Sequence, residues 1–259
     1  MSTPCRLPAR VLSNQRAGAD TYWLEIDAPP IAQAAVPGQF VMIGFGLGRL
    51  DAPFLPRPFS VGWRGDDGRI GLLVRRFGTG THRLAALRPG DEVLLLGPLG
   101  RGFRWEQDSP LICIAGGVGL APFLFMAPEA IRHGATVEIL YGERTGDRVF
   151  DPQLVEKLTG IQPRLYTEDG SRGQIGRVID GIERGRRIQL FGCGPTPMLR
   201  ALERLAREED LPLQVSVEEH MGCGIGTCQG CVVRSVAGEW IKSCTEGPVF
   251  RREELSWRD

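Results

Sequence analysis

Apolar positions over the first hundred residues come in short runs. Those at 41–45, 70–74 and 92–96 are rich in apolar and β-branched residues, and Pro37-Gly38, Asp66-Asp67-Gly68 and Pro89-Gly90-Asp91 punctuate them. Short strands parted by such turns predict a small antiparallel barrel. From residue 111 the texture changes. The run 111–115 is continuously apolar and leads into a glycine turn and a helical stretch ending near Gly134. Strands are expected at 136–141, 164–167 and 188–191, with a helix over 149–158. Thr196 followed by Pro197 has the form of an N-cap opening a helix to about residue 209. Such alternation predicts a parallel sheet covered by helices. Residues 213–217 are strand-like again, and four cysteines then fall within 22 positions. The expected division is a barrel over 1–106, an α/β domain over 107–212 and a small cysteine module over 213–259.

One stretch imitates a membrane span, because residues 109–128 carry no charge and are long enough to cross a bilayer. Gly116-Gly117-Val118-Gly119 and Pro122 interrupt it, so a strand, a turn and a buried helix are expected there instead. Residues 1–16 hold Pro4, Pro8 and three arginines with no apolar core, unlike a signal peptide. The expected compartment is therefore reducing and cytoplasmic. Lys and Arg total 31 against 31 Asp and Glu, a balance that argues against nucleic acid or an anionic membrane surface as partner. The 35 glycines lie in clusters between apolar runs and read as tight turns and close backbone approaches.

Cys223, Cys228, Cys231 and Cys244 are spaced C-x4-C-x2-C-x12-C. The first three match the plant-type [2Fe–2S] spacing, in which a distant fourth thiolate completes the ligand set. Gly224-Ile225-Gly226-Thr227 and Gln229-Gly230 lie between them, small enough to turn backbone N–H groups toward sulfur. The alternatives are structural zinc, whose sites usually show two separated close pairs, and ordinary buried cysteines. Of the three histidines only His220 is nearby, which excludes a Rieske-type pair. Cys5 and Cys113 read as free thiols or core residues.

Two turns have the form of nucleotide sites. Gly116-Gly117-Val118-Gly119 and Gly192-Cys193-Gly194-Pro195 each follow a strand and precede a helix, and ligands of parallel sheets bind at such strand ends. Neither is the G-x-G-x-x-G fingerprint, and the first is equally compatible with a plain tight turn. In the barrel, Arg57-Pro58-Phe59-Ser60 and Arg75-Arg76-Phe77-Gly78-Thr79-Gly80-Thr81 offer arginines and hydroxyls beside glycines. They could hold phosphate or form a solvated charged hairpin.

Together these residues resemble the ferredoxin reductase superfamily, which joins a flavin-binding barrel to a parallel-sheet nucleotide domain. Arg57-Pro58-Phe59-Ser60 matches its R-x-[YF]-[ST] flavin motif and Gly80-Thr81 its second flavin contact, while Leu73, Val74 and Arg75 fall where it lines the isoalloxazine and ribityl chain. Gly116, Gly117, Val118 and Gly119, with Pro122, resemble its pyridine-nucleotide turn. Tyr141-Gly142-Glu143-Arg144 and Cys193-Gly194-Pro195 match further elements. The resemblance implies Arg144, Gly194 and Pro195 as nucleotide contacts and Cys193 as a neighbour of the nicotinamide. Glu218-Glu219 before the cysteines and Gly247-Pro248-Val249-Phe250 after them are similar to the electron-transfer subunits of dihydroorotate dehydrogenase B. That likeness spans the chain. It implies FAD in the barrel, NAD in the second domain and a [2Fe–2S] cluster in the third. It also implies an FMN-containing catalytic partner, with two copies of each chain in a heterotetramer acting in pyrimidine biosynthesis.

Nicotinamide exchanges two electrons as a hydride and an iron–sulfur cluster one at a time, so the flavin is expected between them. NAD is expected over NADP because Glu168 and Asp169, after a strand, would accept from a ribose hydroxyl and repel a 2′-phosphate. Two rivals are a subunit of a hydrogenase or ferredoxin-dependent transhydrogenase, and a zinc-stapled nucleotide-binding regulator without redox activity.

Overall fold

In the computed structural model, residues 3–45, 54–107 and 109–257 are described. The first domain is antiparallel. Strands β1 (Cys5–Arg16), β2 (Thr21–Asp27), β3 (Phe40–Gly44), β4 (Arg57–Ser60), β5 (Trp63–Arg64), β6 (Arg69–Arg75) and β7 (Glu92–Leu99) form one sheet in the order β4-β3-β7-β1-β2-β6-β5. β4 pairs with β3, and β5, two residues further on, pairs with β6. The run 57–64 thus leads from one edge strand of the sheet to the other, curling the sheet into a barrel-like fold. Helices α1 (Pro29–Ala34) and α2 (Thr79–Ala85) lie in the connections. Val11, Leu24, Ile26, Val41, Leu72 and Val74 fill the interior, in the inward alternation that the period of a strand imposes.

The second domain is the expected parallel sheet. Strands β8 (Leu111–Gly116), β9 (Val137–Glu143), β10 (Arg164–Thr167), β11 (Gln174–Ile175), β12 (Gln189–Cys193) and β13 (Leu213–Ser216) are joined through α3 (Ala121–Arg132), α4 (Pro152–Thr159) and α5 (Thr196–Glu208). The sheet order runs β11-β10-β9-β8-β12-β13. Every residue of β8 and β12 is buried, because helices cover both faces of such a sheet.

Two helix starts differ from expectation. α4 begins at Pro152, where the Asp151 carboxylate accepts from the Gln153 N–H at 3.0 Å, while Val149 and Phe150 before it are core residues. Thr196 is not the cap of α5 but its first residue; Pro195 precedes it, and its carbonyl accepts from the N–H groups of Met198 and Leu199 at 2.9 and 3.1 Å. A proline suits that place because no N–H is needed there.

The last stretch forms a hairpin, β14 (Val232–Arg234) with β15 (Trp240–Lys242), then α6 (Ser243–Glu246) and β16 (Val249–Arg251). β16 returns to the parallel sheet and pairs antiparallel with β13. The expected boundary at residue 213 thus falls between β12 and β13, within one continuous sheet. The barrel and the α/β domain also share a core: Trp23 meets Phe150 edge-on at 6.0 Å, and Phe103 stacks on Phe123 at 5.7 Å.

Candidate functional site

β4 carries Arg57, Pro58, Phe59 and Ser60, all half-buried. The Arg57 guanidinium reaches across to α2, where Gly80 lies so close that a Cβ would overlap its Nε and Cζ. Glycine at 80 is what admits the arginine, and the two form one side of a cradle. Thr81 shapes the same turn: its Oγ1 accepts from the N–H groups of Phe77 and Gly78 at 2.7 and 3.0 Å. Such a cradle, a guanidinium against a turn with no side chain at Gly80, fits a flavin. Leu73 and Val74 contribute differently. Leu73 packs into the core shared with the second domain and Val74 into the barrel, so what they can offer a flavin is backbone. The Arg75 side chain is engaged across the domain seam, on Glu143.

The two glycine turns meet at the carboxyl ends of β8 and β12, neighbours in the sheet. Residues Gly117–Leu120, including Val118, form a short 3-10 turn, and a Cβ at Gly119 would overlap the Cys193 carbonyl. Gly194 lies against Gly116, and Pro195, just before α5, and Met198, within it, press on Gly116. These close approaches explain the glycines and leave backbone at the strand ends, where a dinucleotide fits. A cavity of about 320 Å³ opens beside Gly194 and Pro195, lined also by Glu218, Arg234 and Trp257. Arg144 is exposed at the end of β9, and Glu168 is exposed at the end of β10. Asp169 is committed to its own turn, accepting from the Ser171 N–H and Oγ, bonds that hold its carboxyl below the usual range.

Cys193 ends β12 and is 2% exposed. Burial, reinforced by the Glu218 carboxylate 4.0 Å from Sγ, pushes its thiol well above the ordinary value. That shift favours the protonated thiol over the thiolate that would act as a nucleophile. Glu218 is itself raised by burial, an effect that Arg75 opposes.

Three of the four cysteines lie on the loop and Cys244 on α6. The Cys228 N–H donates to Cys223 Sγ at 3.4 Å, and Cys231 and Cys244 share one buried cluster. Among the described residues no group of three or more His, Cys, Asp or Glu side chains is disposed to hold a single metal ion. The C-x4-C-x2-C order with a distant fourth cysteine fits the plant-type two-iron ligand set. Burial pushes the Cys223 thiol up, but the N–H groups of Cys228, Ile225 and Thr227 outweigh it and hold the thiol down to about 7. Burial and the neighbouring Cys231 raise Cys244 to about 12. The hydroxyl of Ser243, next to Cys244, is buried without a partner. The donor set and N–H groups aimed at sulfur fit a [2Fe–2S] cluster. Cys231 and Cys244 pack against Phe40, Met42 and Leu99 of the barrel, while Cys228 is exposed.

Glu143 is a buried charge that sequence reasoning named only as part of a motif. An apolar strand ending in a charge at Glu143 was the visible signal; its partner, 68 residues away on β6, was not.

A family model described as the iron-sulfur cluster binding domain of dihydroorotate dehydrogenase B matches residues 218–256. The chain is 35% identical to the electron-transfer subunit of NAD(+)-type dihydroorotate dehydrogenase B from Desulforamulus reducens, over 96% of this chain and 97% of that one. It is 37% identical to the corresponding subunit of Geobacillus kaustophilus, covering 94% and 96%. Among solved structures, an NADH-dependent reduced ferredoxin-NADP oxidoreductase superposes with a TM-score of 0.84 at 28% identity, over 96% of this chain and 89% of that one. The ferredoxin reductase of carbazole 1,9a-dioxygenase, at 22% identity and a TM-score of 0.69 over 82% and 69%, shares the fold.

Proposed function

The chain belongs to the family of electron-transfer subunits of dihydroorotate dehydrogenase B, and from that premise we propose that it carries electrons from a dihydroorotate-oxidising catalytic subunit to NAD+. FAD when bound exchanges a hydride with nicotinamide and single electrons with an iron–sulfur cluster, chemistry that no side chain supplies. One observation carries the assignment. Met42, whose side chain packs the cluster cysteines, is paired across the strand with Pro58 of the flavin motif. The two proposed cofactor sites are therefore one strand apart.

In this reading Arg57, Pro58, Phe59, Ser60, Gly80 and Thr81 hold the flavin, with the backbone of Leu73, Val74 and Arg75 along it. Gly116, Gly117, Val118, Gly119, Gly194 and Pro195 present backbone to NAD, and Arg144 stands as a cation at the same strand ends. Glu168, with Asp169 spent on its own turn, accepts from a ribose hydroxyl and disfavours a 2′-phosphate. Cys193 supplies a neutral wall that keeps water from the nicotinamide and takes no proton. Cys223, Cys228, Cys231 and Cys244 bind the cluster, and Cys228 on the exposed side faces the partner. Among the described residues no helix is long and apolar enough to cross a membrane. We place the chain in the cytoplasm with an FMN-containing catalytic subunit, two of each in a heterotetramer.

The test uses the purified chain. NADH should reduce its flavin, and dihydroorotate should do so only when the catalytic subunit is added; oxidation of dihydroorotate by this chain alone would refute the assignment. In Cys228→Ser the cluster's EPR signal should vanish while FAD stays bound, and an intact signal would remove Cys228 from the ligands. The likeness to a ferredoxin-NADP oxidoreductase favours a second reading, a transhydrogenase subunit. The protein that co-purifies from cells separates the two.

A further inference from the structure

We infer that Arg75 and Glu143 form a buried latch that sets the glycine turn at 116–119 against the flavin barrel, the Arg75 side chain positioning the nucleotide rather than contacting the flavin. Arg75 is the last residue of β6 and Glu143 the last of β9, so the pair joins the barrel to the strand ends of the second domain. Arg75 Nη2 donates to Glu143 Oε1 and also to the Arg148 carbonyl at 3.3 Å, while its Nε donates to Thr21 Oγ1 at 3.3 Å. Glu143 in turn accepts from the Tyr141 hydroxyl at 3.0 Å, and that hydroxyl accepts from the Phe150 N–H at 3.1 Å. The two charged side chains are 16% and 4% exposed. Every donor and acceptor that fixes them comes from an element on one side of the seam or the other.

The latch lies directly under the turn. A Cβ built on Gly117 would stand 3.2 Å from Arg75 Nη1 and 3.8 Å from Glu143 Oε1. The backbone carbonyl of Glu143 also accepts from the Glu168 N–H at 3.2 Å, so the same residue anchors the carboxylate proposed for the ribose. Arg76, next in the chain, shows the contrast: its ion pair with Asp20 is largely solvent-exposed, at 37% and 50%, and lies within the barrel. Hydride transfer needs the two rings within about 3–3.5 Å, where a displacement of ~1 Å has a large effect on rate. A flavin-domain arginine that fixes the nucleotide turn is therefore placed to control that approach.

The inference rests on reading 116–119 as the nucleotide turn. Its test titrates NAD+ into FAD-loaded wild type, Arg75→Gln, Glu143→Gln, the double variant and Arg75→Lys, following the flavin absorbance band and the FAD bound per chain. Each glutamine variant should weaken NAD+ binding by about tenfold at unchanged FAD content. The double variant should be no weaker than the worse single, as expected for one shared interaction. Arg75→Lys, which returns the charge without the fork, should recover part of the loss. Wild-type NAD+ affinity in both single variants overturns the latch, and so does loss of FAD from Arg75→Gln but not from Glu143→Gln. If Arg75→Gln does not fold, the near-isosteric Glu143→Gln decides between the same two results. Failure of the wild type to bind NAD+ would instead defeat the nucleotide reading itself.

Discussion

The α/β domain is joined to its two neighbours in different ways. Toward the barrel it relies on an aromatic core and on two arginine–glutamate pairs, Arg75 with Glu143 and Arg64 with Glu129, both glutamates buried. Toward the cysteine module it relies on sheet continuity: β16 pairs with β13 through Gln214–Arg251, Val215–Phe250 and Ser216–Val249, and the Val217 N–H donates to the Pro248 carbonyl at 3.0 Å. A buried ion pair adds little net stability but is severely damaged when one partner is removed. A sheet edge is indifferent to single charges and vulnerable to loss of apolar packing. The nucleotide side is thus fixed in orientation by a few specific groups, whereas the cluster is carried on the sheet itself.

The sharpest way to break that contrast is Phe250→Ala. Phe250 is 1% exposed and packs with Leu213, Val215 and Leu255 in the core that unites β16 with the parallel sheet. Its truncation should cost about 3–5 kcal/mol, and chemical denaturation should show cluster content falling together with stability. Retention of a full cluster in a strongly destabilised variant would mean that the loop holds the cysteines without β16.

Arg64→Ala probes the other seam and should do less. Its Nη2 lies 3.0 Å from Glu129 Oε1, but Arg132 Nη2 also reaches that oxygen, at 2.6 Å. Glu129 is therefore not stranded, and the loss should be about 1–2 kcal/mol, below the ~3–5 kcal/mol of a deserted buried charge. Thermal melts of Arg64→Ala, Arg132→Ala and the double variant check this, because the double should exceed the sum of the singles. Simple additivity would show that the two arginines do not substitute for each other.

What could be read in advance follows the range of each interaction. The barrel strands, the parallel strands and the cysteine loop are local patterns of period and spacing, and they lie close to the expected positions. The glycines at 116, 119 and 194 were legible as close approaches, although what approaches them is first of all each other's turn. Thr196 misled because its cap-like chemistry is local, whereas Pro195 takes the cap from the geometry in which β12 ends. The return of β16 to β13 and the Arg75–Glu143 pair, 68 residues apart, depend on how modules pack. No local pattern in one chain encodes them.

Glu218→Gln should have the smallest effect and the opposite sign. Glu218 stands where the sheet runs into the cysteine module, with Cys193 on one side and the charge of Arg75 partly opposing its burial. Burial raises its carboxyl above the usual value near 4.5, so the native state holds the proton more tightly than the unfolded chain does. Ionised Glu218, exposed at the surface, should therefore detract only slightly from stability in neutral solution. That penalty begins as pH rises through the ordinary carboxylate value and disappears below it, where both states are protonated. Glutamine mimics the neutral acid. The variant should be slightly more stable than wild type at neutral pH, and the advantage should shrink as the solution is made mildly acidic. A gain of the same size at every pH would locate the effect in packing rather than in charge. A loss at neutral pH would mean that the field of Arg75 outweighs burial, and that the cysteine-module seam, like the barrel seam, depends on a paired charge.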